Sequence, residues 1–106
     1  MSIIDTHTVK ITKSRNTHSG VAFEGQIIDA AGSPVVRFRN DGHGGSNVYR
    51  GDRNVIAQLE TVCAAATGQD YEALDSAISG AANGESLATG AARFREQMSA
   101  YLAQYA

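Results

Sequence analysis

A chain of 106 residues, 42% hydrophobic, with three Phe, four Tyr and no Trp, holds material for one core and no room for a second. Its single cysteine excludes an intrachain disulfide framework and a multi-cysteine zinc site, and points to a reducing, intracellular setting. The net charge of −2 is uneven: residues 1–53 carry seven Lys/Arg against five Asp/Glu, and residues 54–106 carry two against six. A domain that lives on phosphate contacts ordinarily shows a stronger basic balance than this, whereas an acidic helical half suits a basic protein surface.

Residues 1–8 read as a lead-in. Val9 and Ile11 alternate with Lys10 and Thr12, which predicts a short strand ending near Ser14-Arg15-Asn16. Beyond Gly20, the positions Val21, Phe23 and Ile27 alternate with Ala22, Glu24, Gln26 and Ile28, the period of a half-buried strand. Asp29 to Pro34 is a turn, with Pro34 placed where a strand begins without losing a ladder bond. Val36 and Phe38 then face one way, Arg37 and Arg39 the other. The segment Asn40 to Gly51 reads as a glycine-rich connection. Asp52 caps a helix whose apolar positions Val55, Ile56, Leu59, Val62, Cys63 and Ala66 recur every three or four residues up to Gly68. Asp70 is the expected cap of a shorter helix through Tyr71, Leu74 and Ile78, stopped by Gly80. Ala81-Ala82-Asn83-Gly84 reads as a flexible link. Leu87, Ala91, Phe94, Met98, Tyr101, Leu102 and Tyr105 then form one helical stripe, with Gly90 weakening its first turn.

The expectation is one α+β domain over residues 1–106: a three-stranded antiparallel meander over 9–40, a glycine loop over 40–51 and a helical half over 52–106 packed on one sheet face. The other face would show Lys10, Glu24, Gln26, Ile28, Arg37 and Arg39. No apolar run reaches about 18 residues and the first residues do not form a signal peptide, so a soluble chain without membrane contact is expected. Ile28 and the end of the C-terminal stripe leave both monomer and homodimer open.

The densest polar cluster is Asn40-Asp41-Gly42-His43-Gly44-Gly45-Ser46-Asn47. Backbone free of Cβ atoms lets a partner approach closely, and a glycine loop near a helix start favours anions. Gly42, Gly44, Gly45 and Ser46 are therefore the ligand-binding candidates, for a phosphate or nucleotide. No Gly-Lys-Ser/Thr follows, and the spacing is not G-x-G-x-x-G. The competing reading is a tight connection held by Asx turns from Asn40, Asp41 and Asn47. His43 has no second ligand at metal spacing, so neither a metal nor another cofactor is expected. As an acid–base it would need an orienting group and a nucleophile, and Asp41 and Ser46 are near only in sequence. Cys63, inside an apolar pattern, reads as packing rather than as a nucleophile. The expectation is no enzyme.

The order of strands, glycine loop and helix from Val21 to Thr67 resembles the second half of a double-stranded RNA-binding domain, departing from it where Ser46 to Arg53 stands in place of a Lys-Lys pair. Arg50 and Arg53 remain able to touch phosphate. The stretch Phe23 to Tyr49, with its N-x-G-x-G-G loop Asn40 to Gly45, resembles small uncharacterised proteins of bacteriophages and prophages. By analogy of size and fold with anti-CRISPR inhibitors, that resemblance implies a non-enzymatic protein in the host cytoplasm that blocks a host protein or nucleoprotein defence complex by surface occlusion. Its contact surface would comprise Arg37, Arg39, Asn40, Asp41, His43, Asn47, Tyr49 and Arg50, aromatic and Arg anchors flanking bare backbone. The alternative is a phosphate-ligand or nucleic-acid-binding module using the glycine loop.

Overall fold

The computed structural model describes residues 2–43 and 45–105. A single helical turn, α1 (Ile3–Thr6), precedes β1 (Thr8–Thr17), β2 (Gly20–Ile28), β3 (Pro34–Asn40), β4 (Val48–Gly51), α2 (Arg53–Thr67), α3 (Ala73–Gly80) and α4 (Leu87–Ala103). The strands form one antiparallel sheet in the order β1-β2-β3-β4, and the helical half packs on one of its faces. This is the expected α+β meander with one more strand. β4 lies inside the segment expected to be loop, because four residues are too few to show a period against their glycine and polar neighbours.

Register decides which side chains meet the helices. Val9 pairs with Ile27 and Ile27 with Val36, while Ile11, Gly25, Phe38 and Tyr49 form the next row. Partners in antiparallel rows share a face, so both rows point inward. There Val9, Ile27, Val36 and Phe38 join Leu59, Cys63, Leu74, Ala77, Leu87 and Ala91 in one core. The Phe38 ring lies over Gly25, where an added Cβ would come within 2.3 Å of the ring.

Several local expectations are corrected. β1 ends at Thr17, just past the expected Ser14-Arg15-Asn16, but carries a bulge between Ile11 and Lys13, and α1 occupies the lead-in. The Ala81–Ser86 connection is not a free link but closes the outer edge of β1. Val9 N–H donates to the Glu85 carbonyl at 2.9 Å, Gly84 N–H donates to the Val9 carbonyl at 2.7 Å, and Ile11 N–H donates to Asn83 Oδ1 at 2.8 Å. An edge whose backbone groups are paired offers no template for another strand. Arg93 holds the connection through a two-pronged ion pair with Glu85 (2.6 and 2.8 Å) and a bond to the Gly80 carbonyl (2.6 Å). Gly90 is not a weak point but the place where α3 and α4 touch. A Cβ there would sit 2.0 Å from the Ala77 carbonyl oxygen, and one on Gly80 2.1 Å from that of Gly90.

α2 starts and ends as its sequence predicts, with the Asp52 carboxylate accepting from Asn54 N–H and Gly68 left-handed at φ 77°. α3 does not. Asp70 is not its cap; the residue before its first turn, Glu72, has φ 52° and makes no side-chain cap. The acceptor comes from α2 instead, where the Glu60 carboxylate takes the N–H groups of Ala73 (2.7 Å) and Leu74 (2.8 Å). This places negative charge at the positive end of the α3 dipole and satisfies two otherwise orphaned donors. No described helix is long and apolar enough to cross a membrane. The stripe on α4 is buried only at its start: Tyr101, Leu102 and Tyr105 are exposed, with the two tyrosine rings 5.2 Å apart.

Removing the borrowed cap should loosen α3 as a unit. Glu60→Ala is expected to cost about 2 kcal/mol, the upper range for loss of a helix cap, and Glu60→Gln, which keeps one acceptor oxygen, roughly half of that. Chemical denaturation of the three proteins reads this directly; equal midpoints would show that the contact contributes nothing.

Candidate functional site

The face of the sheet turned away from the helices is open. Its rows follow from the same register: Lys10, Gln26, Arg37 and Arg50 align across all four strands, and Lys13, Glu24, Arg39 and Val48 form the neighbouring row. Arg15, opposite Ala22, extends it along the hairpin. Lys10, Lys13, Arg15, Arg37, Arg39 and Arg50 therefore share one surface, against Glu24 within it and Asp41 at its rim. They are six of the chain's nine Lys/Arg. Arg37 and Arg50 stand directly opposite one another, an arrangement of like charges that costs stability rather than adding to it. Among the described residues neither has a carboxylate within ion-pair distance; on this face only Arg39 does, with Asp41 at 3.1 Å. A groove of about 530 Å³ runs between Gln26, Arg37, Arg39 and Arg50, and a second of about 730 Å³, lined by Lys13 and Arg15, adjoins it through Thr12, Glu24, Arg39 and Asp41.

The glycine loop is built differently from an open cradle. Asn40 organises it: its side-chain amide donates to the Gly45 carbonyl (3.0 Å) and to Asn47 Oδ1 (2.9 Å), while its Oδ1 accepts from Gly42 N–H (2.8 Å). Gly42, at φ 81°, is buried against the β1–β2 hairpin, where a Cβ would meet the Ala22 nitrogen at 3.0 Å and Thr17 Oγ1 at 3.1 Å. Its glycine character serves packing within the chain. Gly45 is exposed with open space around it; Gly44 lies outside the described residues. On the other side the loop is fastened to α3. Ser46 donates to the Glu72 carboxylate, Asn47 N–H donates to Asp75 Oδ2 at 3.1 Å, and the Tyr49 hydroxyl donates to Asp75 Oδ1.

Of the sequence-predicted partner residues, Arg37, Arg39 and Arg50 thus come together on the open face with Asp41 beside them. Asn40, Asn47 and Tyr49 turn inward and hold the loop. His43 is exposed near the hairpin tip, its Nδ1 2.9 Å from the Ser19 hydroxyl. Among the described residues no acceptor is bonded to its other ring nitrogen, so nothing orients the pair as a nucleophile and base. No group of three or more described His, Cys, Asp or Glu residues is placed to hold a metal ion. Lys10 and Gln26 lie, as expected, on the same face as Arg37 and Arg39; Lys13 and Arg15 join them because the bulge between Ile11 and Lys13 shifts the alternation of β1, which turns odd-numbered positions outward beyond it.

Burial separates the chemistry of the two sides. The Cys63 thiol, fully buried, is pushed up to about 12 by desolvation and by the Glu60 charge, so it stays protonated at neutral pH. Burial also raises the Tyr49 hydroxyl, and its bond to Asp75 raises it further. The Asp75 carboxyl is raised as well, chiefly by desolvation, with Glu72 and Glu60 adding to it against the opposing bonds from Tyr49 and Asn47.

Comparisons of the chain with protein-family models, curated proteins and solved structures find no match.

A raised carboxyl has a definite sign in the pH dependence of stability. From its ordinary value of 3.8 up to its higher folded value, the unfolded chain releases the Asp75 proton more readily, so the fold loses stability as pH rises through that window and nothing further above it. Glu85, held down to about 2 by Arg93, acts oppositely, its contribution present at neutral pH and lost as pH falls toward 2. Asp75→Asn is expected to remove the first effect and keep the second. Melting temperatures followed from pH 3.8 upward should therefore fall for the wild type relative to the variant; parallel curves would show that the Asp75 charge is not strained.

Proposed function

We propose that this chain is a non-enzymatic binding protein that works by laying its open sheet face against a larger, negatively charged partner. The observation that carries this reading is the uncovered face itself, with six cations from β1, β3 and β4, and two of them in direct cross-strand opposition. A fold maintains such a repulsive row at a cost to its own stability, and a bound anionic surface offsets that cost. The hydrogen bonds of the loop support the same reading by elimination. The Asn40 amide and the Ser46 and Tyr49 hydroxyls are occupied within the loop and in fastening it and β4 to α3, whereas among the described residues Arg37 and Arg50 have no ion-pair partner.

The resemblance of Phe23 to Tyr49 to small phage proteins supplies the setting for the proposal: occlusion of a host nucleoprotein defence complex in the bacterial cytoplasm. A basic face with no catalytic constellation beside it among the described residues suits blocking by contact better than chemistry.

The face and the loop make separable predictions. Arg37→Glu with Arg50→Glu exchanges one like-charged pair for another, so folding should change little while the net positive charge of the docking face is cancelled. Captured from a bacterial lysate, partners should be lost by this double variant and retained by Gly45→Asp, which adds a side chain where the exposed loop leaves open space. Equal recovery of the same partners by wild type and the double arginine variant would falsify the sheet face as the contact.

A further inference from the structure

We infer that the open sheet face binds the phosphodiester backbone of a double-stranded nucleic acid, without reading its sequence. The inference rests on the reading of that face as the docking surface and names what it docks on. Three features of the face select this partner from among negatively charged ones.

The first is the arrangement of the cations. Arg37 and Arg39 are two residues apart on β3, and Lys13 and Arg15 two apart on β1, so like charges recur along each strand at roughly 6.8 Å, twice the antiparallel rise. That spacing is comparable to the separation of neighbouring phosphates along one nucleic-acid strand. Across the sheet, Lys10, Arg37 and Arg50 share a row with the Gln26 amide, adding donors on either side of such a track. The adjoining grooves make the track continuous from Arg50 to Arg15.

The second feature is what the face lacks. Among the described residues, none of the positions that the register turns to this face carries an aromatic ring. Single-stranded nucleic acid is gripped largely by bases stacked on aromatic side chains, and these positions provide no such platform. A protein partner would draw most of its energy from a few buried aromatic or large apolar anchors; here Val48 is the one exposed apolar side chain of any size. Counterion release from a polyanion needs neither rings nor apolar anchors.

The third is the absence of a reading element. Among the described residues no helix or ribbon projects from the middle of this face, and its donors lie on a surface formed by four strands. Contacts of this kind position a protein on the backbone and carry no base information.

The test is fluorescence anisotropy of the full chain with a labelled random-sequence DNA duplex of roughly 20 base pairs, titrated at several salt concentrations. Log affinity should fall linearly with log salt, with a slope of about −3 to −4 for four engaged cations, and a duplex of different sequence should bind equally. Arg37→Ala and Arg50→Ala should each weaken binding and flatten the slope by about 1, while Arg95→Ala on α4 should do neither. Polyglutamate at equal charge should fail to displace the duplex. If polyglutamate displaces it as well as unlabelled duplex does, the phosphate inference is overturned and the face is a dock for an acidic protein surface. Absence of duplex binding at low salt, with partner capture still dependent on Arg37 and Arg50, overturns the inference and leaves the docking face standing. Absence of both removes the two together. An RNA duplex run in parallel assigns the class of duplex, and preference for either form supports the inference.

Discussion

The Glu60 carboxylate at the start of α3 is the contact on which the arrangement of this molecule turns. α3 has only eight residues, lacks a side-chain cap of its own and begins after a left-handed glutamate, so by local propensity it is a marginal helix. Two charge-assisted bonds from the neighbouring helix fix where it starts. That in turn sets the positions of Glu72 and Asp75, which hold Ser46, Asn47 and Tyr49. Through Tyr49 the constraint reaches β4, and through β4 it places Arg50 beside Arg37. A contact on the helical side of the domain thereby determines the charge pattern on the opposite side of the sheet.

The same chain of contacts explains why acidic groups concentrate where they do. Glu60, Glu72 and Asp75 surround the first turn of α3, where the unpaired N–H groups and the helix dipole favour negative charge. Their mutual repulsion is part of what raises the Asp75 carboxyl, so the cluster is held by geometry against its own electrostatics. The loop bonds to Asp75 and Glu72 repay part of that repulsion, since each carboxylate accepts hydrogens that bulk water would otherwise supply. Loop and helix are stabilised together or not at all.

How much of this the residues reveal on their own differs by element. α2 and the inward alternation of β2 and β3 are legible because the signals are local: a capping aspartate, a terminal glycine, a period of two. β4 is not, since four residues gain their strand identity only by pairing with β3, and neither is the cap of α3, whose acceptor lies 13 residues upstream on another helix. For the glycine loop the sequence leaves two readings open, a ligand cradle and a tight connection held by Asx turns, and the bond from Gly42 N–H to Asn40 Oδ1 is of the second kind. A glycine needed by an approaching ligand and one needed by an approaching hairpin look identical in sequence, and Gly42 is the second kind. Arg37 and Arg39 are picked out by alternation and Arg50 by its place beside the loop; that Lys13 and Arg15 share their face follows only from the register beyond the bulge in β1.

Net charge hides how the charges are divided between the layers, and screening shows why the division matters. The count of −2 sums a cationic sheet face with acidic groups on the helices behind it. Sheet and helix layers are separated by about 10 Å, comparable to the Debye length of about 8 Å at physiological ionic strength. A partner touching the outer face therefore meets the field of the nearby cations at nearly full strength, while the carboxylates on the far side, a layer further away, are largely screened. At low ionic strength that screening lifts and the rear charges begin to oppose an approaching anion. The domain carries its charge as an oriented dipole, basic on the sheet face and acidic behind it, and the two-layer fold keeps the opposing charges far enough apart for both to persist.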